Sequence, residues 1–394
     1  MPEDQVNQRL GSWRTYSMGD ERYRAFVPAP LPPNPPIDLS EILGLNDQAV
    51  RALGRLDGLS AVLPDPQLFL YQYVRKEAVL SSQIEGTQST LADLLRSEVA
   101  AKPGVPMSDV AEVSRYVEAM QHGLRRLRED FPLSLRLIRE IHGVLMRDAR
   151  GHERSPGEFR TTQNWIGGTR PGTAMFVPAP PEELMACLDA FEKYLHAETN
   201  SLPALVRAAM IHVQFETIHP FLDGNGRLGR LLVTFLLCRD GLLQEPLLYI
   251  SLYLKRNRER YYELLQRVRT HGEWEVWIRF FLEGVVETAA QAAASAQRIV
   301  KLLEADRRRI EELGRAAGTT LRVHEKLQRN PFGSAPDLTS TLKLSLPTIR
   351  AALANLEKLG IVEEVTGRDW GKIYAYRDYL AILQEGTEPL APGD

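Results

Sequence analysis

His-Pro-Phe-Leu-Asp-Gly-Asn-Gly-Arg-Leu-Gly-Arg, residues 219–230, is the stretch whose reading decides what this chain is. Its twelve residues hold three glycines, two arginines, one histidine and one aspartate, and the apolar run 231–238 follows at once. Residues 204–216 upstream have apolar residues at helical spacing. The stretch is therefore a loop joining two helices. Gly224 to Gly229 fits GxGxxG, but no strand precedes it, so the dinucleotide reading fails on context. GxxxxGK[ST] occurs nowhere in the chain. What survives is an anion site. Gly224, Asn225 and Gly226 open a helix whose first N–H groups and dipole favour a phosphate. Arg227 and Arg230 are cations in the turns where the dipole prefers acids, a conflict that an external anion resolves. Asp223 can hold a Mg²⁺ that bridges phosphates. His219 stands beside them as a candidate general base. Each piece alone has a plainer reading: Asp-Gly-Asn-Gly as an Asx-capped turn, two arginines as a solvated face. His212, Glu216 and His219 do not have zinc-ligand spacing.

The 394 residues are 44% hydrophobic and 25% charged, with a net charge of −3, so the whole chain is not a polyanion binder. Cys187 and Cys238 stand in predicted helices without a CxxC partner, which suits a reducing cytoplasm. Met1–Tyr16 has no apolar core and reads as no signal peptide, and no apolar run approaches the ~20 residues of a membrane helix.

Residues 26–37 hold six prolines and cannot be helix. Helical patterns fill 39–150 and resume after 181. Between them, 160–178 is rich in Gly, Pro and Thr and reads as a hairpin flap. One long or two medium helices are expected across 273–317. Residues 318–382 read as three short helices followed by two strands around Thr-Gly-Arg-Asp-Trp-Gly, the plan of a winged helix-turn-helix. The expected domains are 1–125, a helical region; 126–285, a core; 286–317, a helical linker; and 318–394, the winged helix and tail. None of the candidate chemistry lies beyond 317, so a chain ending there is expected to fold.

Taken whole, 219–230 resembles the signature of the Fic family, His-Pro-Phe-x-x-Gly-Asn-Gly-Arg-x-x-Arg, at every specified position. The resemblance implies a mainly α protein: a Fic helical bundle with a β-hairpin flap, here followed by the winged helix. It implies transfer of AMP from Mg-ATP to a Ser, Thr or Tyr hydroxyl of a target protein, with self-modification, the target docking at the flap 160–178. His219 would take the hydroxyl proton. Asp223 would bind Mg²⁺. Gly224, Asn225, Gly226, Arg227, Leu228, Gly229 and Arg230 would hold the phosphates, and Phe221 would be buried to fix the loop. Asn257 and Tyr261, in Tyr249–Leu265, are similar to the family's nucleoside pocket, while an amphipathic helix with Tyr261 as an aromatic core residue is the plainer alternative. Ser81-Ser-Gln-Ile-Glu85-Gly86 resembles the family's inhibitory motif, in which Glu85 would occupy Arg230 and displace the γ-phosphate. A helix continuous across 285–313 would link domains or pack against a second copy of the chain, as a homodimer.

A second function class is a nucleotide-sensing regulator that binds DNA or protein through 318–382. That segment has nine Lys/Arg against seven Asp/Glu, which is no strong basic footprint. Its recognition helix offers Arg350, Asn355 and Lys358 beside Glu357. A third is Fic chemistry with another outcome, such as removal of AMP or transfer of phosphate or phosphocholine. The intact signature favours the adenylyltransferase.

Overall fold

The structure, a computed structural model, describes residues 9–18, 21–62, 65–99, 107–147, 155–197, 202–368 and 370–390. An antiparallel pair, β1 (Ser12–Met18) and β2 (Glu21–Val27), comes first. Helices α1 (Leu43–Val62), α2 (Pro66–Ile84), α3 (Leu91–Ser97), α4 (Met107–Arg128), α5 (Leu135–Leu145), α6 (Pro181–Leu195), α7 (Ala204–Ile218) and α8 (Asn225–Arg239) follow. Then come α9 (Ser251–Arg256), α10 (Arg258–His271) and the long α11 (Trp274–Glu311). The C-terminal elements are α12 (Ala317–Arg329), β3 (Phe332–Ser334), α13 (Ala335–Leu342), α14 (Leu346–Lys358), β4 (Glu363–Glu364), β5 (Ile373–Ala375) and α15 (Arg377–Gln384). Among the described residues the chain is mainly helical, as its residue pattern implies.

Two compact units result, each made of separate stretches. The first takes the described residues of Met1–Gly54, Arg115–Pro246 and Tyr253–Thr288. Its centre is α7 against α8, flanked by α5, α6 and α10. Nearly every side chain of α7 is buried, as befits a helix at the centre of its unit. Trp277, fully buried, donates from Nε1 to Ala209 O at 2.8 Å and pins the start of α11 to α7.

The flap is less of a hairpin than its sequence suggests. One antiparallel bridge, Ile166 to Phe176, joins its arms, and a 3-10 turn at Pro171–Thr173 closes it. Gly167 and Gly168 lie at φ 68° and 71°, and Pro171 and Pro178 offer no ladder donors. Support comes from β1 and β2, which the sequence reading left unassigned. Phe26 N–H donates to Val177 O at 2.9 Å, and Tyr23, Ala25 and Val177 form a small core with Tyr16, Trp165 and Ala174. The signal was present: alternating residues on either side of Gly19-Asp20. Beyond Val27, where β2 ends, the proline run carries no helix or strand, and Gln214 Nε2 donates to Ala29 O at 2.9 Å.

The second unit takes Arg55–Ser114, Leu247–Leu252 and the described residues of Ala289–Asp394. Asp65 and Pro66 start α2, the Asp65 carboxylate accepting Leu68 N–H at 3.2 Å. A reciprocal Thr90–Asp93 capping box starts α3. The three helices α12, α13 and α14 pack together, and the strands order as β3-β5-β4, all antiparallel. Strand β3 and α15 are additions to the expected plan.

The described residues of 55–114 pack with the C-terminal elements in this unit. Tyr73 OH donates to Ala292 O at 2.7 Å. Gln72 and Gln83, 1% and 0% exposed, donate to Arg329 O at 3.1 Å and Thr387 O at 2.8 Å. Helical periodicity shows that α2 has a buried face; it does not show what covers it. A chain ending at 317 would strip both acceptors from buried amides, against the expectation of an undisturbed core. Such a truncation is expected to lose hydrogen-exchange protection along α2.

Candidate active site

The loop of 219–224 is shaped by its own residues first. His219 ends α7 in the left-handed conformation, φ 50° and ψ 61°, and its N–H donates to Phe215 O at 2.9 Å. Asn225 closes the loop from the other side: its Oδ1 accepts Phe221 N–H at 2.9 Å and its Nδ2 donates to Phe221 O at 2.8 Å. Gly224 begins α8 at φ 76°. A Cβ there would lie 2.7 Å from Met146 Sδ, so glycine is required by both backbone and space. The first intrahelical bond of α8 is Leu228 N–H to Gly224 O, 3.0 Å. The N–H groups of Asn225 and Gly226 precede it and face out of the helix start, where the dipole is positive.

Beneath the loop lies His142, which the sequence reading missed. Its ring stacks on Phe221 with centroids 3.7 Å apart and planes 12° from parallel, and both are fully buried. Its Nε2–H donates to Asp223 O at 3.0 Å, while Nδ1 accepts Gly157 N–H at 2.9 Å. A carbonyl accepts on one side and an N–H donates on the other, so the ring is neutral. Burial, then the nearby Arg227 charge, push its pKa down to about 3.

Charge gathers at this place. The Asp223 carboxylate accepts Gly224 N–H at 2.7 Å and lies 4.0 Å from Arg227. Arg227 is 6% exposed and donates from Nη2 to Met146 Sδ at 3.5 Å. Arg230 is 1% exposed and is among the largest fully buried side chains. The His219 ring is half-buried, and its Nδ1 lies 3.4 Å from Glu216 O. A carbonyl only accepts, so Nδ1 is the donor in this contact.

The other candidates fall differently. Leu228 is in the core, its N–H bonded within α8. Gly229 leaves room for Glu216, whose Oε1 would be 2.2 Å from a Cβ, and its carbonyl accepts from His212 Nδ1 at 3.0 Å. Both are packing positions here. Tyr261 is 1% exposed and its hydroxyl donates to His212 Nε2 at 2.8 Å, so it is a core residue, not an open wall of a nucleoside pocket. Burial, offset in part by the bond to Gly229, and then Arg230 and Arg269 push His212 down to about 4. Asn257 is the N-cap of α10, half-buried, with Nδ2 donating to Tyr253 O at 3.0 Å.

The inhibitory-motif residues sit in the second unit. Ser81 is fully buried in α2. Glu85 is the exposed C-cap, its N–H donating to Ser82 O at 3.0 Å. Gly86 turns the chain at φ 102°, and a Cβ there would meet nothing within 4 Å. On α14, Arg350, Glu357 and Lys358 are exposed, while Asn355 Nδ2 turns to Thr320 Oγ1 at 3.3 Å.

Residues 43–125 match the family model described as Fic/DOC family N-terminal, and 132–237 match that described as Fic/DOC family. Both segments are Fic/DOC domains. The Fic domain contains the whole loop and His142. A curated relative named protein adenylyltransferase Fic, from Drosophila grimshawi, is 33% identical over 211 residues, 52% of this chain and 40% of its own. One of the same name from Culex quinquefasciatus is 35% identical over 208 residues, 51% of this chain and 38% of its own. The chain thus spans about 40% of the length of these relatives. A Fic family crystal structure from Desulfovibrio desulfuricans superposes with TM-score 0.57 at 20% identity, covering 87% of this chain and 97% of the other. A Fic domain protein from Bacteroides thetaiotaomicron gives 0.51 at 20%, covering 63% and 97%. These two likenesses establish the fold. No helix of the described residues is long and apolar enough to cross a membrane.

The packing of the Fic loop sets two expectations. Phe221→Ala removes a fully buried ring and should cost about 3–5 kcal/mol, read by denaturant unfolding. The buried neutral His142 and His212 have pKa values depressed in the folded state, so the unfolded chain binds more protons. Their stabilisation is complete above about pH 6.5 and is lost as pH falls through the window from there towards 4. The slope there is at most about 1.4 kcal/mol per pH unit per histidine, measurable by unfolding across pH 4–7.

Proposed function

We propose that the chain transfers AMP from Mg-ATP to a hydroxyl of a target protein, and to itself, with the Fic loop as the active site. The observation that carries this reading is one juxtaposition: the half-buried His219 imidazole stands six residues before Asn225, at the positive start of α8. Buried Arg227 and Arg230 lie in that helix's first two turns. In the reaction, His219 Nε2 takes the proton of the attacking hydroxyl. A bond forms from that oxygen to the α-phosphorus, the bond to the bridging oxygen breaks, and pyrophosphate leaves. Asn225 and Gly226 N–H groups and the two guanidinium groups offset the developing negative charge. Asp223, a third exposed beside the loop, fits a cation held mainly by phosphates and water, which asks only one or two carboxylates of a protein. When bound, Mg²⁺ would draw charge from the phosphates. Asn257 is the remaining candidate for a nucleoside contact. The target would dock at the flap 160–178, in a cytoplasmic setting.

Glu85 is proposed as the inhibitory group that competes with the γ-phosphate for Arg230. Support comes from its motif and from Gly86, whose left-handed backbone ends the helix at the carboxylate.

Incubation with Mg²⁺ and ATP labelled on the α-phosphate should label the protein, and γ-labelled ATP should not. Label from the γ-position instead would make this a kinase and sink the reading. Gly224→Ala should abolish labelling and lower the melting temperature, whereas Gly86→Ala meets no atom and should cost only about 1–2 kcal/mol of backbone strain.

A further inference from the structure

A helix leaves its last four carbonyls without intrahelical donors. At the end of α7 three buried side chains serve them. Arg269 donates from Nη2 to Glu216 O at 3.0 Å and from Nε to Thr217 Oγ1 at 3.2 Å. Arg160 donates from Nε to His219 O at 3.0 Å and from Nη2 to Ile218 O at 3.5 Å. Asn164 donates from Nδ2 to His219 O at 3.3 Å and to Phe221 O at 2.8 Å. Arg160 and Asn164 are 4% and 8% exposed.

The acceptors of Arg160 make it more than a helix cap. Its guanidinium also donates to Thr162 O at 3.3 Å and to Ala179 O, carbonyls at the two feet of the flap. Its own N–H donates to Pro220 O at 2.9 Å. All these acceptors are main-chain oxygens. One rigid, planar group therefore joins both ends of the flap to the residue that carries the imidazole.

That residue needs holding. A left-handed conformation costs a residue with a Cβ about 1–2 kcal/mol, and His219 adopts it with no glycine to relieve the strain. We infer that Arg160 and Asn164 are positioning residues: they fix the left-handed backbone of His219 and so set the imidazole against the flap where the target lies. The inference rests on His219 being the base of the proposed reaction. Arg160 reaches His219 through its carbonyl alone, so its loss should move the ring without touching the nucleotide. A displacement of ~1 Å costs on the order of 10²-fold in rate. Lysine keeps the charge but is a single donor point and cannot span four carbonyls.

The test uses the full chain, with Arg160→Lys and Asn164→Ala. Three readouts are taken: the rate of α-label transfer at saturating ATP, the dissociation constant for ATP, and the ¹⁵N spectrum of the His219 imidazole. Arg160→Lys should lower the rate by about 10²-fold. Asn164→Ala, which keeps the guanidinium, should lower it by about tenfold, the value of one hydrogen bond. ATP affinity should stay within about twofold, and the His219 imidazole signals should shift in both. Unchanged imidazole signals overturn the inference whatever the rate does, and so does an ATP affinity that falls in step with the rate. Should Arg160→Lys fail to fold, Asn164→Ala decides by the same criteria. A wild-type protein that transfers no label sinks the adenylylation reading, and the imidazole spectra then decide the positioning of His219 by themselves.

Discussion

His219→Ala is expected to lower AMP transfer by about 10²–10⁴-fold while ATP still binds. In the proposed reaction the side chain contributes only the proton acceptor. Asn225 holds the loop shut through Phe221, and His142 holds Asp223 O, so neither needs the imidazole. The anion site at the start of α8 should therefore survive the substitution. Label transfer from α-labelled ATP and calorimetric ATP titration, run on the same preparation, check both halves. Full activity in the variant would remove His219 from the mechanism. Loss of ATP binding in step with activity would instead make it a structural residue of the loop.

Glu85→Gly is expected to raise transfer strongly, with ATP affinity equal or improved. A carboxylate on Arg230 would be a charge-assisted pair, placing negative charge where the γ-phosphate belongs. The triphosphate could still enter, displaced, with its α-phosphate out of line. Misplacement by ~1 Å is enough for a loss on the order of 10²-fold, so activation of that order is expected on removing the carboxylate. Glu85→Asp should relieve inhibition in part, its carboxylate reaching less far. Adding His219→Ala to Glu85→Gly should silence the activated protein. If Glu85 is an ordinary helix cap, neither single change moves the rate. Helix α2, whose C-cap is Glu85, lies in the same unit as α12 and α15 and bonds to Arg329 O and Thr387 O.

The proposed chemistry is legible in sequence because it is local. Residues 219–230 carry the candidate base, the carboxylate, the helix-start backbone and both arginines within one loop and the start of one helix, and each can be read from residue type and spacing. The caps of α2 and α14 are local in the same way: Asp65 and Ser345 each accept an N–H three residues on. Three things were decided only in three dimensions. Tyr261 was ambiguous between pocket and core until His212 took its hydroxyl, 49 residues away in sequence. Helix α2 belongs with the C-terminal elements, which a buried face alone does not announce. His142, Arg160, Asn164 and Arg269 support the loop from 52 to 81 residues away. A buried polar side chain that serves a distant carbonyl looks, in sequence, like one that serves water. Periodicity records which face of an element is apolar, and spacing records bonds within a turn or two. Neither records which backbone groups a folded loop leaves needing donors, and that need is what places these four side chains.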